Sequence, residues 1–317
     1  MLKTLPPDIR VKQLSDENFK QFHELFNTVF GHSYTVNWLK RKYDTAYLGI
    51  SGQYLGCLAI NEANRAVSYC GHIPFRFQVG DKYFLGAHSC DHMTLEAYRG
   101  KGLFQLLNTR AEALVIAAGI PLIFGFPNQN NHPILVRRAQ WEIIDTMQAF
   151  VFKVRTLPLA GLLLKNKYSS AIYQSWRKYC LRNQSSLTSA FSSVENVGQV
   201  RDEAFYTYKQ NFRQSELMTF NNGKVWLHLS GHLAIGDMLV NDQGTLAGLL
   251  SELKQLAQKL MISRITFLCS SYHPLVPEIS KSTKAVVGNG VGVKYMDKEQ
   301  LGQLPSLLFT YGDYDTF

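Results

Sequence analysis

The 317-residue chain lacks several features that mark broad protein classes. Its five cysteines (Cys57, Cys70, Cys90, Cys180, Cys269) are odd in number, widely spaced and never paired as CxxC. That argues against a disulfide framework and fits small buried thiols in a reducing, cytoplasmic setting. The longest apolar run, Ala113–Phe126, is interrupted by Gly119, Pro121 and Gly125. A membrane span needs about 20 apolar residues, so this stretch reads as buried core. The opening Met-Leu-Lys-Thr-Leu-Pro-Pro-Asp has no apolar h-region, and no secretory signal is expected. Neither GxxxxGK[ST] nor GxGxxG occurs, which removes the P-loop and the dinucleotide fingerprint.

What the chain does contain is an ordinary globular composition, 46% hydrophobic and 18% charged, so it is not a disordered chain. Its length favours two domains over one. Lys and Arg number 33 against 24 Asp and Glu, a formal charge of +9. That balance points to a polyanion, whether nucleic acid, membrane surface or phosphate-rich cofactor, or simply to a solvated basic face.

Hydrophobic spacing organises the chain. Ser15-Asp16-Glu17 reads as a helix start, with Phe19, Phe22, Leu25, Phe26, Val29 and Phe30 at helical spacing behind it. Trp38–Tyr43 reads as a second short helix. Tyr54–Ile60, Ala66–Ile73, Phe75–Val79 and Tyr83–Thr94 read as an antiparallel meander. Helix Gly102–Ala118, strand Leu122–Phe126, helix Asn131–Ala139 and strand Glu142–Val154 then imply a parallel crossover. Ala171–Arg182 reads as a basic amphipathic helix, taken as a connector with one solvated face, and Gln184–Ser193 as a Ser-rich loop. The second half repeats the rhythm. Asp202–Phe212 is helical, Val225–Val240 is strand, kink at Gly231 and strand, and Leu246–Leu260, Ile265–Leu268, Pro274–Lys281 and Val291–Met296 alternate helix and strand. The expected architecture is α/β with a mixed sheet, one module used twice. Its expected divisions are 1–155, a helical and Ser-rich connector 156–200, and 201–317.

The segment richest in chemistry is Asp91-His-Met-Thr-Leu-Glu-Ala-Tyr-Arg-Gly-Lys-Gly-Leu-Phe104. A strand runs into a short loop and a helix begins near Gly102. Gly100 and Gly102 allow close backbone approach, and unpaired amides at the helix start converge on one spot. Arg99 and Lys101 add positive charge beside it. The loop is either an anion site or a plain basic turn.

Arg99-Gly-Lys-Gly102-Leu-Phe104 is similar to the Arg/Gln-x-x-Gly-x-Gly/Ala loop of the GCN5-related N-acetyltransferases (GNAT). The order of elements over residues 10–153 resembles that family too. Asp91, Thr94, Tyr98–Phe104 and Phe126-Pro127-Asn128 look like a bacterial subgroup whose second half is a degenerate copy. The resemblance implies a GNAT-like acyl-CoA N-acyltransferase fold, duplicated in tandem, with acetyl-CoA as acyl donor and no metal. It implies cofactor contacts at Arg99, Gly100, Lys101, Gly102, Leu103 and Phe104, at the fourth-strand backbone of Met93, Thr94 and Leu95, and at Asn128. Two departures stand out. Phe104 replaces the loop's last small residue, and Val136 occupies the place where the family often has a tyrosine acid.

The family's chemistry is direct attack by an amine, which needs a base. Alternation along Ala87–Leu95 places His88, Cys90, His92 and Thr94 on one face and Ser89, Asp91 and Met93 on the other. The resemblance puts His88 at the position of a base and Asp91 as the subgroup's own residue for orienting the amine or a water; the bland alternative is bonding within the sheet. His88-x-Cys90-x-His92 as metal ligands has no evident fourth member. The second half lacks the Arg-x-x-Gly loop, with Asn241-Asp-Gln-Gly-Thr245 in its place, and is expected to bind no acetyl-CoA. The tail Tyr311–Phe317 is acidic and aromatic, read as a final strand and a solvated end or as a lure for an amine.

The leading expectation is a cytoplasmic acetyl-CoA-dependent N-acetyltransferase acting on a small-molecule or peptide amine, with neither nucleic acid nor membrane as partner. The alternatives are a non-catalytic CoA-binding module and an aminoacyl or acyl transferase of the two-module kind.

Overall fold

The structure is a computed structural model, described for residues 8–50, 53–127, 132–182, 190–302 and 306–317. It resolves into two units. The first comprises Met1–Ile144 with Gly290–Pro305, and the second Asp145–Asn289 with Ser306–Phe317. The stretch 156–200, expected as a connector, thus falls within the second unit. Residues 290–305, expected in the second domain, belong to the first. Each unit takes one strand from the other half of the chain, and a linear reading of element order carries no mark of such an exchange.

The first unit is built on β1 (Arg10–Gln13), β2 (Leu55–Ile60), β3 (Ala66–Val79), β4 (Lys82–Thr94) and β5 (Leu122–Gly125). Neighbours β1 to β4 pair antiparallel, and β5 lies parallel to β4. The meander expected from the turns is present, with the second and third expected strands fused into β3. β1 was not legible, since it is a four-residue strand with only Val11 partly covered. Helices α1 (Phe19–Phe30) and α2 (Val36–Lys42) pack an aromatic face on the sheet, with the Phe22 ring 4.4 Å from that of Tyr69. Gly71 is required there, because a Cβ would lie 2.0 Å from the Tyr69 hydroxyl. Helix α3 (Leu103–Ala117) buries Leu103, Leu107, Ala111 and Val115, a stripe at spacing four. Helix α4 (His132–Ala139) adds Leu135 and Ala139 beside Trp141.

In the second unit, β6 (Glu142–Lys153) is followed by α5 (Ala160–Lys165), α6 (Lys167–Arg182), β7 (Val197–Gln199) and α7 (Glu203–Phe212). Then come β8 (Glu216–Thr219), β9 (Gly223–Leu229), β10 (Leu233–Val240), α8 (Leu246–Lys259), β11 (Arg264–Cys269) and α9 (Val276–Ile279); β12 (Val286–Tyr295) begins in this unit and ends in the first, to which α10 (Lys298–Leu301) belongs. Strands β8, β9 and β10 pair antiparallel, β11 is parallel to β10, and residues 148–153 of β6 run antiparallel to β11. Residues 292–295 of β12 pair antiparallel with β5 and complete the first unit. The second unit therefore repeats the first unit's order of three antiparallel strands, helix, parallel strand and helix. Leu249, Leu253 and Leu256 of α8 and Leu260 just after it fill its core. Helix α9 is shorter than the eight residues expected, since the Ser282 hydroxyl donates back to the Ile279 carbonyl just beyond it.

Candidate active site

The site begins with a bulge. In the β3–β4 register Tyr69 faces Met93 and Gly71 faces Cys90, so Asp91 and His92 together oppose Cys70. Asp91 takes φ +54°, the left-handed region that a bulge residue adopts at a cost. The extra residue breaks the strict alternation expected for Ala87–Leu95. His92 turns to share a side with Ser89, its Nε2 3.0 Å from the Ser89 hydroxyl oxygen. Pairing of β4 with β5 runs from Gly86–Leu122 to His88–Phe124 and stops there, although β4 continues to Thr94. The two strands part beyond that point.

The bulge is held from below. Lys42 Nζ donates to both Asp91 carboxylate oxygens at 2.8 and 2.6 Å, and the Tyr43 hydroxyl donates at 2.8 Å. Both ion-pair members are buried, their side chains 3% and 8% exposed. Burial, then the Asp91 charge, pushes the Tyr43 hydroxyl well above its ordinary pKa, so it stays a donor. His88 is 2% exposed, its ring stacked on Phe124 at 4.9 Å and edged by Phe126 and Phe75. Of the two residues the resemblance marked, Asp91 thus meets a lysine and a tyrosine, and His88 sits among rings. His72, which no sequence pattern singled out, lies buried 6.2 Å ring to ring from His92. Burial, then His92 and His88, holds it well below its ordinary pKa and keeps it neutral.

Where β4 leaves β5, a cavity of about 330 Å³ opens, lined by Val29, His92, Met93, Thr94, Arg99, Phe104 and Leu135. The Phe104 ring lies 5.4 Å from that of His92. The Ser68 hydroxyl donates to the Met93 carbonyl, and the Leu95 amide donates to Val67 at 2.9 Å. Of the three backbone amides the resemblance marked for the cofactor, that of Leu95 is thereby used within the protein. Asn128 and its neighbours to 131 lie outside the described residues. Val136 is exposed on α4. Among the described residues, His88, Cys90 and His92 do not form a convergent set of metal-ligand atoms.

The loop after β4 leads into α3 as expected. Gly100 and Gly102 take φ +74° and +83°, and Gly102 stands at the N-cap with no side chain to satisfy the first amides of α3. A Cβ on Gly100 would meet nothing within 4 Å, so that side of the glycine is open. Arg99 Nε donates to the Thr94 carbonyl at 3.3 Å and ties the loop to the end of β4. Lys101 Nζ lies 4.8 Å over the Tyr98 ring. Amides without a side-chain cap, a helix dipole and two exposed cations lie together in this short segment, which is the chemistry that a bound phosphate requires.

The helix start in the second unit is the opposite. The Thr245 amide donates to the Asn222 side-chain oxygen, and Glu252 accepts from the Asn221 and Asn222 amides. A Cβ on Gly244 or Gly248 would lie 2.2 or 2.3 Å from Asn222. Protein atoms and a carboxylate fill the space that is open beside α3.

The tail is not solvated. Asp313 and Phe317 are buried, and Arg201 donates to Asp237, to the Thr310 hydroxyl at 2.9 Å and to Asp313 at 2.7 Å, with the three charged side chains 0% exposed. The Ser193 hydroxyl donates to Asp237, and His273 Nε2 approaches that hydroxyl at 2.9 Å. The Leu275 amide donates to His273 Nδ1, so the imidazole proton sits on Nε2, facing the serine. A histidine so arranged cannot take the serine's proton, and the trio is a buried polar staple with no nucleophile.

Residues 10–144 match the family model described as the acetyltransferase (GNAT) domain. That match, over less than half of the chain, shows residues 10–144 to be similar to the GNAT domain, a class whose chemistry is acyl transfer. No curated protein matches the chain. Among solved structures, a probable N-acyltransferase of unknown function from Enterococcus faecalis is similar at 13% identity and a TM-score of 0.60, over 91% of this chain and 73% of that one. A GCN5-related N-acetyltransferase from Kribbella flavida is similar at 13% identity and 0.56, over 92% and 71%. A putative acetyltransferase from Pyrococcus horikoshii is similar at 10% identity and 0.55, over 98% and 95%. At these identities the likeness is one of fold. Among the described residues no helix is long and apolar enough to cross a membrane.

Proposed function

We propose that the chain is an acetyl-CoA-dependent N-acetyltransferase that acetylates a primary amine, in a cytoplasmic setting that suits its five free thiols. The observation that carries this reading is the open, uncapped start of α3 behind Gly100 and Gly102, set at the mouth of the cavity where β4 parts from β5. Arg99, Lys101 and the amides of Gly102, Leu103 and Phe104 would hold the pyrophosphate. His92, Met93 and Thr94 would flank the thioester. The acyl donor supplies an activated carbonyl; the amine forms the C–N bond as the C–S bond breaks.

The attacking amine must shed a proton, and the departing thiolate must gain one. We assign the first task to His92, which the bulge turns into the cavity. His88 is the runner-up, because its surrounding rings leave it little access to an amine. Asp91, bound by Lys42 and Tyr43, would hold the bulge and so the place of His92. The second unit, with Asn222 filling its helix start, would bind no acetyl-CoA.

Calorimetry with acetyl-CoA and CoA, followed by thiol release over a panel of amines, tests the reading. Binding of one CoA per chain and amine-dependent thiol release support it. Binding without turnover on any amine favours the non-catalytic CoA module, and no binding ends both.

A further inference from the structure

Most of the chain's positive charge lies outside the cofactor loop. Thr146–Val194 contains no Asp or Glu, yet it carries Lys153, Arg155, Lys165, Lys167, Arg177, Lys178 and Arg182. A net +7 out of +9 therefore sits in less than a sixth of the sequence. Helices α5 and α6 occupy the middle of this stretch.

One side of α6 is fixed to the second unit. Tyr173 and Arg177 are buried, the Tyr173 hydroxyl donates to the Leu260 carbonyl at 2.7 Å, and Arg177 reaches Glu216 at 3.2 Å. The adjoining exposed side is not polar, as a solvated connector requires. It carries Tyr168, Ile172, Trp176 and Tyr179, with exposures of 82%, 74%, 42% and 62%. At 100° per residue these four fall within an arc of about 80°. Lys167, Lys178 and Arg182 border that arc on one edge, and all three are exposed. Among the described residues none of them is in an ion pair, and Arg177 alone of the helix's cations has one. Leu157 and Leu162, just before α6, are 70% and 64% exposed as well. Seven of the fifteen large apolar side chains exposed among the described residues lie between 157 and 179.

The stripe is held firm. Trp176 Nε1 donates to the Lys259 carbonyl at 2.8 Å, and its ring stacks with Tyr179 at 5.7 Å. An exposed apolar patch of this size on a soluble unit marks a contact surface. Its composition selects the kind of contact. Trp and Tyr rings with aliphatic side chains, bordered by lysine and arginine and with no carboxylate nearby in the chain, match the headgroup region of an anionic bilayer.

We propose that the outward face of α5 and α6 docks the protein on an anionic lipid surface, lying on it without crossing it. The aromatic and aliphatic side chains enter the headgroup layer and the bordering cations meet anionic headgroups. The proposal sets aside the sequence-based expectation of no membrane partner, and it is independent of the acyl transfer proposed above.

Sedimentation of the full chain with vesicles tests it. The protein is expected to pellet with vesicles of phosphatidylcholine and phosphatidylglycerol, weakly with phosphatidylcholine alone, and less at raised salt. Replacing Ile172→Glu and Tyr179→Glu together is expected to weaken binding at least roughly tenfold. Both sites are exposed, so the melting temperature stays unchanged. Tyr83→Glu, at a 61% exposed site in the first unit, leaves binding intact. No binding to anionic vesicles, or equal binding by the double variant, overturns the proposal. So does a concentration-dependent dimer that the double variant dissolves, since that assigns the face to a second copy of the chain.

Discussion

Replacing Arg201→Met tests how the second unit tolerates charge in its core. Arg201, Asp237 and Asp313 are all 0% exposed, and the guanidinium faces both carboxylates. Methionine matches the volume and supplies no donor, so two carboxylates are left in the core without a cation. Removing one partner of such a buried set costs roughly 3–5 kcal/mol. For a unit of this size that lowers the melting midpoint by roughly 6–20 °C. The pH dependence separates this cause from simple loss of packing. Burial raises the Asp313 pKa above its ordinary 3.8, and Arg201 opposes that rise. For Arg201 itself, burial works against the charge, but Asp313 and Asp237 outweigh it and hold the pKa above its ordinary value. A carboxyl whose folded pKa exceeds its unfolded one weakens the fold as pH rises through the window between the two. Without Arg201 that window extends upward. The variant should therefore lose most at neutral pH and regain stability on acidification, by about 1.4 kcal/mol per pH unit for each carboxyl within its window. Urea melts followed by circular dichroism at several pH values measure this. A loss below about 1 kcal/mol, or a loss independent of pH, would refute the reasoning.

Gly102→Val places a β-branched side chain at φ +83° and should weaken CoA binding by more than roughly tenfold in calorimetry, with the fold retained. His92→Ala should lower kcat by roughly 100-fold or more with CoA affinity unchanged; an unaltered kcat removes it as the base. Asp91→Asn should act on stability first, costing about 1.5–3 kcal/mol in a urea melt through its bonds to Lys42 and Tyr43. Burial lowers the His273 pKa to about 4 from 6.5, so the fold loses stability as pH falls through that window, by about 3 kcal/mol in all. His273→Gln should flatten that acid limb, seen as a smaller shift in melting midpoint between neutral and acid pH. Phe317→Ala should cost roughly 3–5 kcal/mol, because the ring is 1% exposed and packs 4.6 Å from Trp226.

The loop from Tyr98 to Phe104 was legible because its chemistry is local. Two glycines at positive φ, two flanking cations and a helical apolar stripe all lie within one short segment. The meander and α8 were legible for the same reason, since their periods are intact. The bulge was not, because one extra residue in β4 has no signature of its own and reverses every face beyond it. His92 was therefore grouped with His88 and Cys90 in the sequence, while the fold sets it beside Ser89 and Phe104. The staple of Arg201, Asp237 and Asp313 was hidden by distance, since its members lie 36 and 112 residues apart. The acidic tail therefore looked like solvent-exposed chain.

The pairing of residues 292–295 with β5 sets a schedule for biogenesis. A ribosome must pass well beyond β5 and make residues 292–295 before the last strand of the first unit exists. Until then β5 has an open edge, apolar and ready to pair with any passing strand. Excising residues 1–155 as a minimal enzyme recreates that unfinished state permanently. Such a fragment should aggregate, and supplying the missing half in trans should restore it to solution.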